Sequence, residues 1–265
     1  MYVLTVRLLK NIKKIILIDR LEYISSLFLY LNIKIEEMIC MLYEKNAWSF
    51  SGNNAIEFDG HVNSSVPLYN EFHNAIVNMS CFFAQKNSKI IDLGTSTGSL
   101  IYKLKNNNNN RNINFIGIDI EEDMIKECKK RYNDIDFFNI DAIDFDYTNS
   151  SIIVSMLTLQ FIDIKNRKKI LNKIYNQLND GGALFVVEKV RTDIPLIHDI
   201  YNDLYYDFKL ENFTSDEIIK KNQSLRGVMN PLTVNENIKM FEDVGFKKID
   251  IFMKINNFVG FIIVK

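Results

Sequence analysis

The stretch Lys89-Ile90-Ile91-Asp92-Leu93-Gly94-Thr95-Ser96-Thr97-Gly98 decides how this chain is read. It opens as an apolar run and closes in a turn flanked by glycines, and a helical pattern follows from Ser99 to Lys105. A buried strand feeding a tight turn into a helix accounts for that order. Gly94 and Gly98 accept a left-handed backbone and let a ligand approach the chain closely. The new helix aims its unpaired N–H groups at whatever occupies the turn.

Several chemistries use such a turn. A dinucleotide fingerprint needs G-x-G-x-x-G, and here three residues separate the glycines. A nucleophile elbow needs G-x-S-x-G. Gly94-Thr95-Ser96-Thr97-Gly98 supplies it, which would make Ser96 a nucleophile. The elbow also needs a later acid and histidine. His198, the only histidine after the turn, lies in a helical pattern, and the chain before Ile90 reads mainly helical where several strands are expected. A glycine turn that caps a helix and binds nothing is the bland account. The spacing acid-x-Gly-x-x-x-Gly, carried by Asp92, Gly94 and Gly98, is similar to the S-adenosylmethionine loop of class I methyltransferases.

At 265 residues, 47% hydrophobic and 25% charged, the chain suits one α/β domain with additions. A net charge of −1 gives no global basic field, so direct nucleic-acid binding is not expected. Cys40, Cys81 and Cys128 are odd in number and far apart, which reads as reduced thiols of a cytoplasmic protein. His61 and His73 have no ligand-spaced partner, and no metal site is expected. Asn106–Asn110 reads as a tolerant surface loop. Residues 1–46 are apolar but broken by charges. Their best run, Tyr23–Ile35, is short of the roughly 20 residues that span a bilayer. The signal-peptide order is absent. An N-terminal helical extension is expected there, able to pack on the domain, a partner or a membrane surface.

Trp48–Tyr69 shows few apolar periods and reads as an ordered loop, and Asn70–Gln85 as a helix. Asn114–Asp119 is a second buried strand ending in an acid, 25 positions after Gly94. A carboxylate there is placed to accept both hydroxyls of a ribose, and Asp119 also suits the N-cap of a helix over Glu121–Tyr132. Ile135–Ala142 reads as a third strand, with Asp141 placed to accept from an adenine amino group and the backbone N–H of Ala142 facing the ring. Ser151–Phe161 is a fourth strand and its exit loop, Lys165–Leu178 a helix, Asn179–Gly182 a turn and Ala183–Glu188 a fifth strand. These alternations predict a doubly wound, mostly parallel seven-stranded α/β sheet of Rossmann type. Gly94–Ser96, Asp119, Asp141 and Met156 all fall at the carboxyl ends of strands, where such sheets bind ligands. Residues 192–230 interrupt the alternation with a helical insertion whose stripe is Leu196, Ile200, Leu204 and Phe208, and which can lid the site. Thr233-x-x-Glu236 is a capping box, Gly245 ends that helix, and Phe246–Met253 with Phe258–Val264 reads as a closing antiparallel pair.

From Trp48 onward the chain resembles the carboxy-S-adenosylmethionine synthase family. The shared stretches are Ser65-Val-Pro67-x-Tyr69, Asp92-Leu-Gly94, Ile118-Asp119, Thr158-Leu-Gln160-Phe161, Lys173-Ile-Tyr175, Gly181-Gly-Ala-Leu184, Glu188-Lys189, Asp207-Phe-Lys209 and Val228-Met229. The resemblance implies an enzyme that turns S-adenosylmethionine and prephenate into the carboxylated cofactor used on tRNA wobble uridine. It carries Tyr69, Gly94, Thr95, Ser96, Asp119, Asp141 and Ala142 over as cofactor contacts, and Asp92, Gly98, Ile120 and Met156 belong to the same expected site. Two positions depart from the family. Its asparagine before Thr-Leu-Gln-Phe is Met156 here, and its carboxylate-pairing arginine aligns with Asn222. A neutral amide cannot supply a charged, bidentate donor, although Arg226 stands four residues later.

Those departures favour a class I methyltransferase acting on a small, acidic acceptor, with Tyr205, Tyr206 and Arg226 as its catalytic, acceptor-pocket residues. Carboxy-S-adenosylmethionine synthesis is the alternative. A non-catalytic cofactor- or partner-binding module is the third reading. The expected organisation is an extension over 1–46 and a methyltransferase domain over 47–265 with its lid at 192–230, a homodimer remaining compatible.

Overall fold

The computed structural model describes Lys34 and residues 54–265. Apart from Lys34, the expected N-terminal extension and Trp48–Asn53 lie outside the described residues. The described chain begins with α1 (Asn54–Ser65) and α2 (Tyr69–Phe83). It continues with β1 (Lys89–Leu93), α3 (Ser99–Asn108), β2 (Asn114–Asp119), α4 (Glu122–Arg131), β3 (Asp136–Asn139), β4 (Ser150–Met156), α5 (Ile164–Gln177) and β5 (Leu178–Lys189). Then come α6 (Pro195–Leu210), α7 (Ser215–Ser224), α8 (Val234–Asp243), β6 (Lys248–Ile255) and β7 (Phe258–Val264).

The seven strands form one sheet in the order β3-β2-β1-β4-β5-β7-β6. β1 to β5 pair parallel, and β7 runs antiparallel to both β5 and β6. The expected doubly wound architecture is therefore the observed one. β1 and β4 are buried throughout nearly their whole length because helices cover both faces, which is why they read as continuous apolar runs. One core layer joins the sheet to α2 and α3 through Phe72, Ile76, Leu100, Leu104 and Phe185. The other joins it to α5 and α8 through Ile170, Leu171, Ile174, Phe241 and Phe246. Burying one such side chain contributes roughly 1.5–3 kcal/mol. The chain winds outward from β1 through β2 to β3, then returns to the other side of β1 as β4. The crevice at this reversal lies over the carboxyl ends of β1 and β4.

Three expectations need correction. Residues 54–65 form a helix, not a loop. Asn, Gly and Ser weaken its intrinsic propensity, and what holds it is tertiary. The Thr97 hydroxyl donates to Asp59 at 2.6 Å, and the Arg131 guanidinium of α4 pairs with the same carboxylate. The third strand is also shorter than expected, Asp136–Asn139, because β3 is an edge strand held only by β2. Finally, on α6 the stripe Leu196, Ile200 and Leu204 is exposed. The face turned inward carries Tyr205 and Lys209, because that face lines a cavity. Both capping boxes close as a carboxylate–threonine exchange, the expected one at Thr233/Glu236 and a second at Thr214/Glu217.

Candidate active site

A cavity of about 830 Å³ opens at the carboxyl ends of β1, β2 and β4. Its floor is the loop after β1. Gly94 has φ +72° and Ser96 φ +51°, so the turn is left-handed at both positions. A Cβ on Gly94 would lie 2.2 Å from Thr158 Oγ1, and that hydroxyl sits 3.1 Å from the carbonyls of Leu93 and Met156. Gly94 is thus required by both its conformation and its neighbour. The loop is drawn toward β2 by Asp119, whose Oδ2 accepts the Ser96 N–H at 2.9 Å and whose Oδ1 accepts the Glu121 N–H at 3.0 Å.

Asp119 is not the N-cap of α4. Glu121 holds that position, and Asp119 reaches past it to bridge two loops. A carboxylate has about four lone-pair sites, so acceptor capacity remains for a ligand. Burial raises its pKa, and the N–H donors of Glu121, Ser96 and Ile120 pull it back. Asp92 is buried and pushed up to about 7 by desolvation, against the Thr95 hydroxyl that donates to it at 2.8 Å. Asp141 spends one oxygen on the Ile143 N–H and keeps the other side exposed.

Among the expected cofactor residues, Tyr69, Asp92, Gly94, Thr95, Ser96, Asp119, Ile120, Asp141, Ala142 and Met156 stand together on the cavity wall. Gly98 does not. It is the left-handed N-cap of α3, with Phe137 and Tyr132 closing over its Cα. Of the acceptor-pocket residues, Tyr205 and Arg226 line the cavity, while Tyr206 stands off the wall and accepts a hydrogen bond from Asn222 Nδ2 at 3.1 Å.

The part of the cavity wall contributed by β5, α6 and α7 is basic. Lys189 ends β5, Lys209 lies on α6, Lys221 on α7 and Arg226 just beyond, with His61 of α1 beside them. Desolvation holds Lys221 down to about 6 and Lys189 to about 8, each with Lys209 as a second, repulsive cause. Burial and then Lys221 and Lys209 lower His61. Sequence reasoning treated His61 and His73 as ordinary polar residues and gave Lys189 and Lys209 no role, yet all four line the cavity. The two lysines did fall in the shared stretches, which was the available signal. Among the described residues no cluster of side chains could hold a metal ion.

The nucleophile-elbow reading fails on geometry. Ser96 Oγ faces Met124 Sδ at 3.7 Å, and the site's histidines are engaged elsewhere: His73 lies 3.3 Å from Lys103 Nζ, and His61 Nε2 lies 3.4 Å from Ser65 Oγ. Ser96→Ala is expected to keep turnover at saturating cofactor within roughly 3-fold, because the hydroxyl is set against Met124 Sδ and not against a general base. A collapse of activity with intact cofactor binding would restore the elbow.

The methyltransferase-domain family matches residues 84–253. The chain is 46% identical over 232 residues to the carboxy-S-adenosyl-L-methionine synthase of Staphylococcus epidermidis, covering 85% of this chain and 100% of that one. It is 36% identical to the Nautilia profundicola protein of the same name, covering 82% and 94%. Among solved structures, an S-adenosyl-L-methionine-dependent methyltransferase of Methanococcus maripaludis aligns with TM-score 0.55 at 17% identity, over 82% of this chain and 94% of that one. Human N-acetylserotonin methyltransferase bound to its cofactor aligns with TM-score 0.52 at 15% identity, over 73% and 51%. These structural likenesses concern the fold.

Proposed function

Because the chain belongs to the carboxy-S-adenosyl-L-methionine synthase family, we propose that it carboxylates S-adenosyl-L-methionine at the expense of prephenate, rather than methylating an acidic acceptor. The chain is a class I enzyme of the S-adenosyl-L-methionine-dependent fold, and S-adenosyl-L-methionine is its cofactor. The departures at Met156 and Asn222 favoured an ordinary methyltransferase. The identity over the full length of the Staphylococcus relative outweighs two positions.

The observation that carries the reading is the charge division of the cavity wall: Asp92, Asp119 and Asp141 come from β1, β2 and the loop after β3, whereas Lys189, Lys209, Lys221 and Arg226 come from β5, α6, α7 and the turn after it. The acidic part fits the cofactor. The left-handed loop admits it closely, Asp119 keeps acceptor capacity for ribose hydroxyls, and Asp141 with the Ala142 N–H suits adenine. When bound, it would supply a sulfonium-activated methyl carbon that loses a proton and gains the carbon dioxide released by prephenate, whose ring sheds hydroxide and becomes aromatic, the proton and hydroxide leaving as water. The basic part fits a dicarboxylate such as prephenate, whose charge an aspartate-lined pocket would repel. Tyr69, Val62 and Phe58 add apolar surface to the cavity wall.

Mass spectrometry of the ligand carried by the protein, and of products formed from S-adenosyl-L-methionine and prephenate, tests this. Carboxy-S-adenosyl-L-methionine is the expected product. Accumulation of S-adenosylhomocysteine with a methylated acid instead would return the site to methyl transfer.

A further inference from the structure

Lys209 is 4% exposed and lines the cavity, and among the described residues no carboxylate lies within hydrogen-bonding or ion-pairing distance of its ammonium. Burying an ammonium without a counter-charge is costly, so such a group marks a place where an anion is meant to arrive. It is not alone. Lys189 Nζ lies 4.1 Å from the centroid of the Tyr205 ring and Lys209 Nζ 5.2 Å from the same centroid. Both ammoniums are held by one aromatic face system, and the ring is fixed edge-on against Phe258 at 5.5 Å. Asn222, also on the cavity wall, donates from Nδ2 to the Tyr206 hydroxyl.

We propose that Lys189 and Lys209, fixed by Tyr205, form the subsite that binds a carboxylate of the second substrate in this chain. This rests on the carboxylating reading above and names the residues that recognise the acid. Two lysines beside one aromatic ring offer a carboxylate two point-charge donors. The subsite is also pH-sensitive. Burial, then Lys209, holds Lys189 down to about 8, and burial lowers Lys209. Only the protonated forms attract an anion, so affinity for the acid falls as pH rises through about 8, and binding below that point takes up no more than a small fraction of a proton. The facing groups on other elements are His61 of α1, lowered by burial and the lysines, Lys221 of α7, already down to about 6, and Arg226 at the mouth. The tyrosine hydroxyl of Tyr205 is raised by burial and stays neutral.

The test is steady-state kinetics with prephenate at saturating S-adenosyl-L-methionine, alongside calorimetry of S-adenosylhomocysteine and of malonate. Lys209→Met is expected to raise KM for prephenate by ~10–100-fold, the scale of a lost charged hydrogen bond, and to leave S-adenosylhomocysteine affinity unchanged. Lys209→Arg should recover part of the loss. Should Lys209→Met not fold, Lys189→Met, at a partly exposed position, carries the same expectation. An unchanged KM in a folded variant overturns the subsite while leaving the carboxylating function standing. If the native protein makes no carboxylated product from prephenate, that function fails, and malonate binding to the S-adenosylhomocysteine complex decides the subsite by itself. Malonate bound at least ~10-fold more weakly by Lys189→Met supports it. Equal binding, or no dependence on pH through about 8, overturns it.

Discussion

Gly94→Ala is expected to cost about 2–4 kcal/mol of stability and to weaken S-adenosyl-L-methionine binding by roughly 100-fold. The left-handed φ of +72° costs an alanine about 1 kcal/mol. The larger part is contact. The new methyl would sit 2.2 Å from Thr158 Oγ1 and 2.5 Å from its Cγ2, and overpacking of this kind costs about 1–3 kcal/mol. Thr158 cannot swing away freely, because its hydroxyl is tied to the carbonyls at the ends of β1 and β4. The strain is therefore passed to the turn proposed above to cradle the cofactor, and ~3 kcal/mol there corresponds to roughly two decades of affinity. Thermal unfolding and calorimetry measure both effects. Gly227→Ala is the control. It shares a positive φ, +75°, but a Cβ there meets nothing within 4 Å, so only the conformational part should remain. If the two variants behave alike, the close approach of Thr158 is not what Gly94 serves.

Asp119→Ala is expected to raise the S-adenosyl-L-methionine dissociation constant by ~10–100-fold through lost ribose contacts, at roughly 1.5–3 kcal/mol per charged hydrogen bond before costs. The structure adds a second effect. The same carboxylate accepts from Ser96 and Glu121, so its removal leaves two backbone donors without acceptors and frees the loop after β1 from the end of β2. Stability should fall by about 1–3 kcal/mol, more than the ~1 kcal/mol expected of a lost helix cap. Asp119→Asn separates the parts. One oxygen persists as an acceptor for a loop N–H, whereas the charge that favours two hydroxyl donors is gone, so stability should recover further than affinity. Unchanged cofactor affinity in folded Asp119→Ala, read by calorimetry, would remove Asp119 from the ribose site.

What the sequence determined by itself was the part of the molecule set by local pattern. β1 and its turn were legible because an apolar run, two glycines and a following helical period are all contained within residues 89–105. The parallel order followed from strand and helix alternation, and Asp119, Asp141 and Met156 were legible as strand-end positions because ligands of such sheets gather there. The Thr233/Glu236 box needed only its own four residues. What the tertiary structure decided was everything that depends on a partner distant in the chain. Residues 54–65 are helical through Asp59's bonds to Thr97 and Arg131, which no local propensity reveals. The inward face of α6 is set by the cavity, so its apolar stripe, which reads as a core face, lies outside while Tyr205 and Lys209 turn in. Lys189 and Lys209 are 20 residues apart in sequence and meet only because β5 and α6 bring them to one ring. A charge becomes functionally distinctive when folding takes away its water, and burial is a property of the assembled domain rather than of any stretch within it.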